Sequence, residues 1–186
     1  GGDVTGLGIV DKQRHGIQRD TADLSPAEDA ALKEWLESTD PKYCHDAKAA
    51  YHILRGREIT LRGIAHDTAI AAYLLRPGQR TYGLADVYQR HLQRQITIGG
   101  DQLSLLGDTS LLDAAAAVLE LAEALTAQLR EIDEYELYAD LELPLVTILA
   151  EMEHTGIAVD RDVLEAQRKD FADKVVQVEE LSLIHI

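Results

Sequence analysis

Residues 66–92 read HDTAIAAYLLRPGQRTYGLADVYQRHL, two short helical patterns joined by a proline-glycine break. In the first, Ile70, Tyr73 and Leu74 recur at i, i+3, i+4. In the second, Leu84, Val87, Tyr88 and His91 recur at i, i+3, i+4, i+7, so each pattern predicts one buried helical face. Arg76-Pro77-Gly78-Gln79 stops the first helix, because proline lacks an amide donor and glycine tolerates left-handed dihedrals. Asp67 opens that helix as its cap.

Upstream, strands and helices alternate. Val4 to Val10 (VTGLGIV) mixes β-branched residues with glycine, and Gly16-Ile17 follows a polar run, which predicts a strand with a hairpin partner. Ser25-Pro26-Ala27-Glu28 combines a serine cap, proline at the first helical position and a glutamate completing a capping box. Ala27, Ala31, Trp35 and Leu36 are the expected inward face. Lys42 to His45 reads as a short buried strand, followed by a helix with Ala47, Ala50, Tyr51 and Leu54 inward, ended by Gly56. Ile59 to Ala65 is a further strand expectation. This order favours an α/β layer with helices packed on a sheet.

Downstream, Gly99 and Gly100 mark a loop, and Ser110 to Leu129 keeps helical spacing through Leu111, Ala115, Val118, Ala122, Leu125 and Leu129. Alanines 114–117 permit close helix packing. After Glu131 only helices are expected. Pro144 is suited to start one with Leu145, Ile148, Leu149 and Met152 on one face, ended by Gly156. These side chains are expected to pack on residues absent from this chain, leaving the region after Glu131 weakly protected. Asp160 caps a last helix in which Leu164, Phe171, Val175 and Val178 recur roughly every seven residues. Leu181 to Ile186 (LSLIHI) abandons that pattern and reads as a non-native tail.

The 186 residues are 46% apolar and 27% charged, an ordinary soluble composition. No apolar run is long enough for a membrane helix, and the first residues lack a signal-peptide layout, so a cytoplasmic protein with no membrane partner is expected. A single cysteine, Cys44, excludes an internal disulfide and reads as a small buried hydrophobe. The net charge of −15 argues against tight nucleic-acid binding by this piece alone. Locally, Arg76, Arg80, Arg90 and Arg94 could form a basic edge. The histidines show no metalloprotease spacing, no serine sits in a GxSxG elbow, and Gly6-x-Gly8 lacks the third glycine of a dinucleotide fingerprint.

Two segments, 66–92 and LELPLVTILAEMEHTGIAVD at 141–160, together resemble bacterial family A DNA polymerases of the DNA polymerase I type. The first is similar to a stretch of that family's proofreading-type 3′–5′ exonuclease domain, the second to the start of its polymerase domain. The resemblance implies an interior fragment. Its fold would be α/β, a ribonuclease-H-like 3′–5′ exonuclease fold (a mixed sheet with packed helices) followed by helices of the polymerase thumb. The implied domains are 1–131, exonuclease-like and N-terminally truncated, and 132–180, the start of the thumb, with 181–186 as the tail.

An active nuclease of this superfamily needs four carboxylates around two divalent metals. The family's Asp-x-Glu motif belongs on a strand before Val4. Its Asn-x-Lys-x-Asp motif aligns with Asp46-Ala47-Lys48-Ala49-Ala50, so Ala50 stands at the metal-binding aspartate. Its Tyr-x-x-x-Asp motif falls on Ser110 to Ala114, placing serine and alanine at the tyrosine and aspartate. A methyl group cannot ligate a metal, so proofreading is expected to be absent. Accordingly, no catalytic, cofactor-binding or metal-binding residue is assigned. Asp46, Asp113 and Asp67 read as helix-capping acids.

The resemblance further implies that the intact parent is a monomeric, magnesium-dependent DNA-directed DNA polymerase acting on DNA in replication and repair. Its nucleotidyl-transfer residues would lie beyond this chain, and the exonuclease-like domain would be a structural platform. Two alternatives stand beside it. One is an active 3′–5′ exonuclease or ribonuclease-D-like nuclease with relocated ligands; the other is an interaction module whose acidic surface binds a basic partner.

Overall fold

The computed structural model describes residues 4–96 and 111–184. The expected Gly99-Gly100 loop, Ser110 and the last two residues lie outside them. The chain divides into two compact units, Gly1–His154 and Thr155–Ile186.

The first unit begins with an antiparallel hairpin, β1 (Gly6–Val10) and β2 (Gly16–Asp20), in register from Gly6 opposite Asp20 to Val10 opposite Gly16. Its turn is closed by Asp11, whose carboxylate accepts the His15 amide at 2.8 Å while Arg14 takes a left-handed φ of 66°. Helix α1 (Pro26–Glu37) starts with the expected capping box, Ser25 and Glu28 bonding reciprocally. Its buried face differs from the expectation. Leu32, Trp35 and Leu36 pack inward, whereas Ala27 and Ala31 are exposed, because the larger side chains remove more apolar surface from water.

Strand β3 (Lys42–Cys44) pairs in parallel with β4 (Ile64–Asp67), with an irregularity between Lys42 and Tyr43. Between them, α2 (Ala47–Arg55) turns Ala47 and Tyr51 inward and is capped by Asp46. The strand expected at Ile59–Ala65 lies later. Ile59 and Leu61 are buried, but in irregular backbone, and ladder pairing starts only at Ile64. Burial produced the apolar alternation there without a neighbouring strand.

Helix α3 (Thr68–Leu75) and α4 (Leu84–Leu92) occupy the 66–92 stretch. In α4, Val87 and Tyr88 are buried as expected. In α3 the fully buried residues are Thr68, Ala71 and Ala72; Ile70 and Leu74 pack against the same cluster as expected, while Tyr73 is exposed. This helix is apolar nearly all round, so period alone does not select its inward face, and the small residues take the closest contact. The 21-residue α5 (Leu111–Glu131), the longest described helix of this unit, lies over both β1 and α3. Gly8 allows that approach: a Cβ there would meet the Leu111 backbone oxygen at 2.6 Å.

Two apolar clusters result. One joins α3, α4 and α5 through Ala72, Val87, Leu121, Leu125 and Leu129 and takes in Tyr138. The other gathers Leu36, Tyr51, Ile59, Leu61 and Ala150. Both therefore include residues beyond Glu131.

That later segment is α6 (Tyr135–Leu137), one π turn (Tyr138–Glu142) and α7 (Leu143–Thr155). Pro144 is the second residue of α7, in its first turn as expected, although the backbone ahead of it is already helical. Its ring would press on the carbonyl four residues earlier and it has no amide to donate. The π turn just upstream, with Leu143 N–H bonded to the Tyr138 carbonyl, widens the helix at that place. On α7, Ile148, Leu149 and Met152 are exposed, as expected of a face with no partner in the unit. The opposite side is not bare, since Val146 and Ala150 are buried. The expectation of a helix packing only on absent residues is thus corrected for this second face. Gly156, with φ of 69°, follows its end.

In the second unit, α8 (Arg161–Ile184) is capped by Asp160, whose carboxylate accepts the amides of Asp162 and Val163 at 3.0 and 3.2 Å. Leu164, Phe171, Val175 and Val178 are exposed along it.

Candidate functional site

Asp67 ends β4 and starts α3, and it is 1% exposed. As expected, it caps its own helix: Oδ1 accepts from the amides of Ala69 (2.8 Å) and Ile70 (3.4 Å). It also caps a second one. Oδ1 accepts from the Asp46 amide at 3.2 Å, and Oδ2 from the Ala47 amide at 2.7 Å, at the start of α2. Two helix N-termini converge on one buried carboxylate, and their partial positive charges and free amides compensate its burial. The Tyr138 hydroxyl completes the arrangement by accepting the Asp67 amide at 2.7 Å and donating to its carbonyl at 3.3 Å.

This arrangement leaves no room for metal chemistry at Asp67, because its oxygens face amide donors. Asp46, held at a left-handed φ of 58°, accepts the Ala49 amide at 3.1 Å, as the capping reading expects. Ala50 packs against the second apolar cluster. Asp113 lies exposed in the first turn of α5, beside Ala114. Among the described residues no group of three or more His, Cys, Asp or Glu could hold a metal ion. The donor set does not fit a two-metal centre: Ala50 and Ala114, which the resemblance places at two ligand positions, carry methyl groups, and Asp46 and Asp67 cap helices.

A cavity of about 720 Å³ lies between the hairpin and β3 with α5 as its floor. Consecutive residues line it on both sides, Gly8 to Gln13 and Pro41 to His45, with Ala114, Ala115 and Val118 below. A strand face would contribute alternate residues; consecutive ones mean strand edges. Neither β1 nor β3 has a second ladder partner among the described residues, so the cavity has the form of a slot between two sheet edges. Lys42 at its wall donates to the Ser38 and Asp40 carbonyls at 3.0 Å and lies over Trp35, a structural role. Cys44 is inert as a nucleophile, since burial pushes its thiol up to about 12. His45 bonds Thr68 Oγ1 at 2.8 Å, and burial lowers its pKa.

The arginines of the basic edge divide. Arg94 is engaged by Glu120, which also accepts the Tyr88 hydroxyl at 2.6 Å and Arg14 at 2.8 Å. Arg76, Arg90 and His91 gather with Gln128 around the C-terminal ends of α3, α4 and α5. Cations there complement the helix dipoles, which accounts for them without a ligand. The residues that sequence reasoning missed are Tyr138 and the second capping role of Asp67, neither of which leaves a periodic signal.

A parallel strand pair flanked by helices, with an added hairpin, accords with a ribonuclease-H-like exonuclease-type domain. The DNA polymerase I ribonuclease H-like domain family matches residues 1–100. The chain belongs to that family. It is 44% identical to DNA polymerase I of Mycobacterium bovis, covering 94% of this chain and 21% of that protein. With DNA polymerase I of Bacillus subtilis it shares 32% identity over 95% of this chain and 21% of that one. Among solved structures it is similar to the POL domain of Pol1 from M. smegmatis, in complex with DNA primer-template and dNTP: TM-score 0.84, 44% identity, 96% of this chain and 30% of that one. The chain spans about a fifth of the length of these curated relatives.

Proposed function

We propose that this chain is the exonuclease-like domain and the start of the polymerase domain of a DNA polymerase I, with the first acting as a structural platform that does not proofread. The observation that carries it is the engagement of Asp67 and Asp46 with helix N-termini, together with alanine at positions 50 and 114. We place the domain limit at 131/132, at the end of α5, and read 181–186 as a tail foreign to the native sequence. A strand preceding Val4 in the parent occupies the slot between β1 and β3.

In the parent, the activity is template-directed DNA synthesis with magnesium, in replication and repair. It acts as a monomer in the cytoplasm, on DNA, with the nucleotidyl-transfer residues beyond this chain. No described helix is long and apolar enough to cross a membrane.

The test is a nuclease assay of the intact parent on single-stranded DNA with magnesium or manganese. No cleavage above background is expected. Cleavage abolished by Asp46→Asn or Asp113→Asn would overturn the platform reading in favour of relocated ligands.

A further inference from the structure

Helix α2 carries two stripes with different jobs. Ala47, Tyr51 and Leu54 face the interior of the unit. Lys48, His52 and Arg55, at i, i+4, i+7, meet the end of α7. Lys48 Nζ donates to Glu153 Oε1 at 2.9 Å, and His52 Nε2 lies 2.8 Å from Glu153 Oε2. Arg55 Nη2 lies 3.4 Å from His154 Nε2. One turn earlier on α7, Ala150 is fully buried in the cluster that contains Tyr51 and against which Ala50 packs. Ala150, Glu153 and His154, at i, i+3, i+4, form the complementary stripe.

We infer that α2 is the seat that fixes α7 on the exonuclease-like unit, with Ala150 as the packing contact and Glu153 as an electrostatic latch closed by Lys48 and His52. This rests on the platform reading and names the residues through which the platform acts. Ala50 then has a positive role. A methyl at that position suits the apolar cluster beneath the seat, whereas a carboxylate there would be drawn out of water next to it.

The latch is tested by hydrogen exchange on the 186-residue chain. At low salt, Glu153→Gln is expected to speed exchange of the α7 amides about two- to fivefold, the range partly exposed ion pairs sustain, with α5 unchanged. High salt should reproduce that rise in the unaltered chain and have little effect in Glu153→Gln. The exchanged pair Lys48→Glu with Glu153→Lys should restore protection, which separates loss of the latch from a general folding defect. Equal α7 exchange in the unaltered chain and Glu153→Gln at low salt would overturn the inference, as would a uniform rise that includes α5. The nuclease assay decides the platform reading separately, so either can fail without the other.

Discussion

Tyr138 holds Asp67 by both of its backbone groups across 71 residues of sequence, accepting the amide at 2.7 Å and donating to the carbonyl at 3.3 Å. The bond ties the end of β4 to the π turn between α6 and α7. Because Tyr138 is 1% exposed, no solvent replaces its hydroxyl when it is removed. Tyr138→Phe should therefore cost about 1–3 kcal/mol, the penalty of an unpaired buried amide. Urea unfolding monitored by circular dichroism checks it, and a loss under 0.5 kcal/mol would show that the amide finds another partner.

Asp67 should be far less replaceable than an ordinary cap. Asp67→Ala strands amides at the start of both α2 and α3, and about 3–5 kcal/mol is expected, a large fraction of a typical domain's stability. Asp67→Asn keeps one acceptor but aims an NH₂ group at a donor, so it should also be costly. A thermal melt of the two variants beside Asp160→Ala, which removes a single exposed cap worth about 1 kcal/mol, gives the comparison.

Acid should weaken the first unit between pH 6.5 and 4. His66 is 4% exposed, lies between the rings of Tyr43 and Tyr138, and neither ring nitrogen has a partner among the described residues. Burial lowers its pKa to about 4. The folded protein thus keeps the ring neutral while the unfolded chain protonates near 6.5. The associated stability is present above pH 6.5 and is lost as pH falls toward 4, by about 3 kcal/mol for this residue. His66→Phe should flatten that part of the pH–stability curve; an unchanged slope would assign it to other groups.

Gly8→Ala should disturb the contact between the hairpin and α5, because the new methyl would lie 2.6–2.7 Å from the Leu111 backbone. Overpacking of this kind costs about 1–3 kcal/mol. Ala115→Gly in the same helix tests intrinsic helix weakening, about 1 kcal/mol, without the clash.

Signals that act within a few residues were legible in the sequence. Ser25, Asp46 and Asp160 each cap the helix that follows, the hairpin pairs as its glycine-bounded strands suggest, and Gly156 ends α7. Less legible were features set by distant partners. Asp67 looks like a cap for one helix because the second lies 20 residues upstream. Tyr138 is one of two tyrosines in an acidic stretch, beside Tyr135, and only the tertiary fold brings it to β4. On α3 the period placed Ile70 and Leu74 against the core but not Tyr73, which is exposed: in an apolar helix, room beside α5 as well as period decides which side is covered.

The π turn ahead of Pro144 changes what a single helical segment can do. An extra residue in one turn slips the phase of everything after it, so side chains before and after the slip no longer share one face. Tyr138 on one side joins the α3–α5 cluster, while Ala150 on the other joins the α1–α2 cluster. Removing one residue from 139–142 would leave composition and hydropathy almost untouched. It would nonetheless close the wide turn ahead of Pro144, so the length of this connection, more than its chemistry, sets how α7 lies within the first unit.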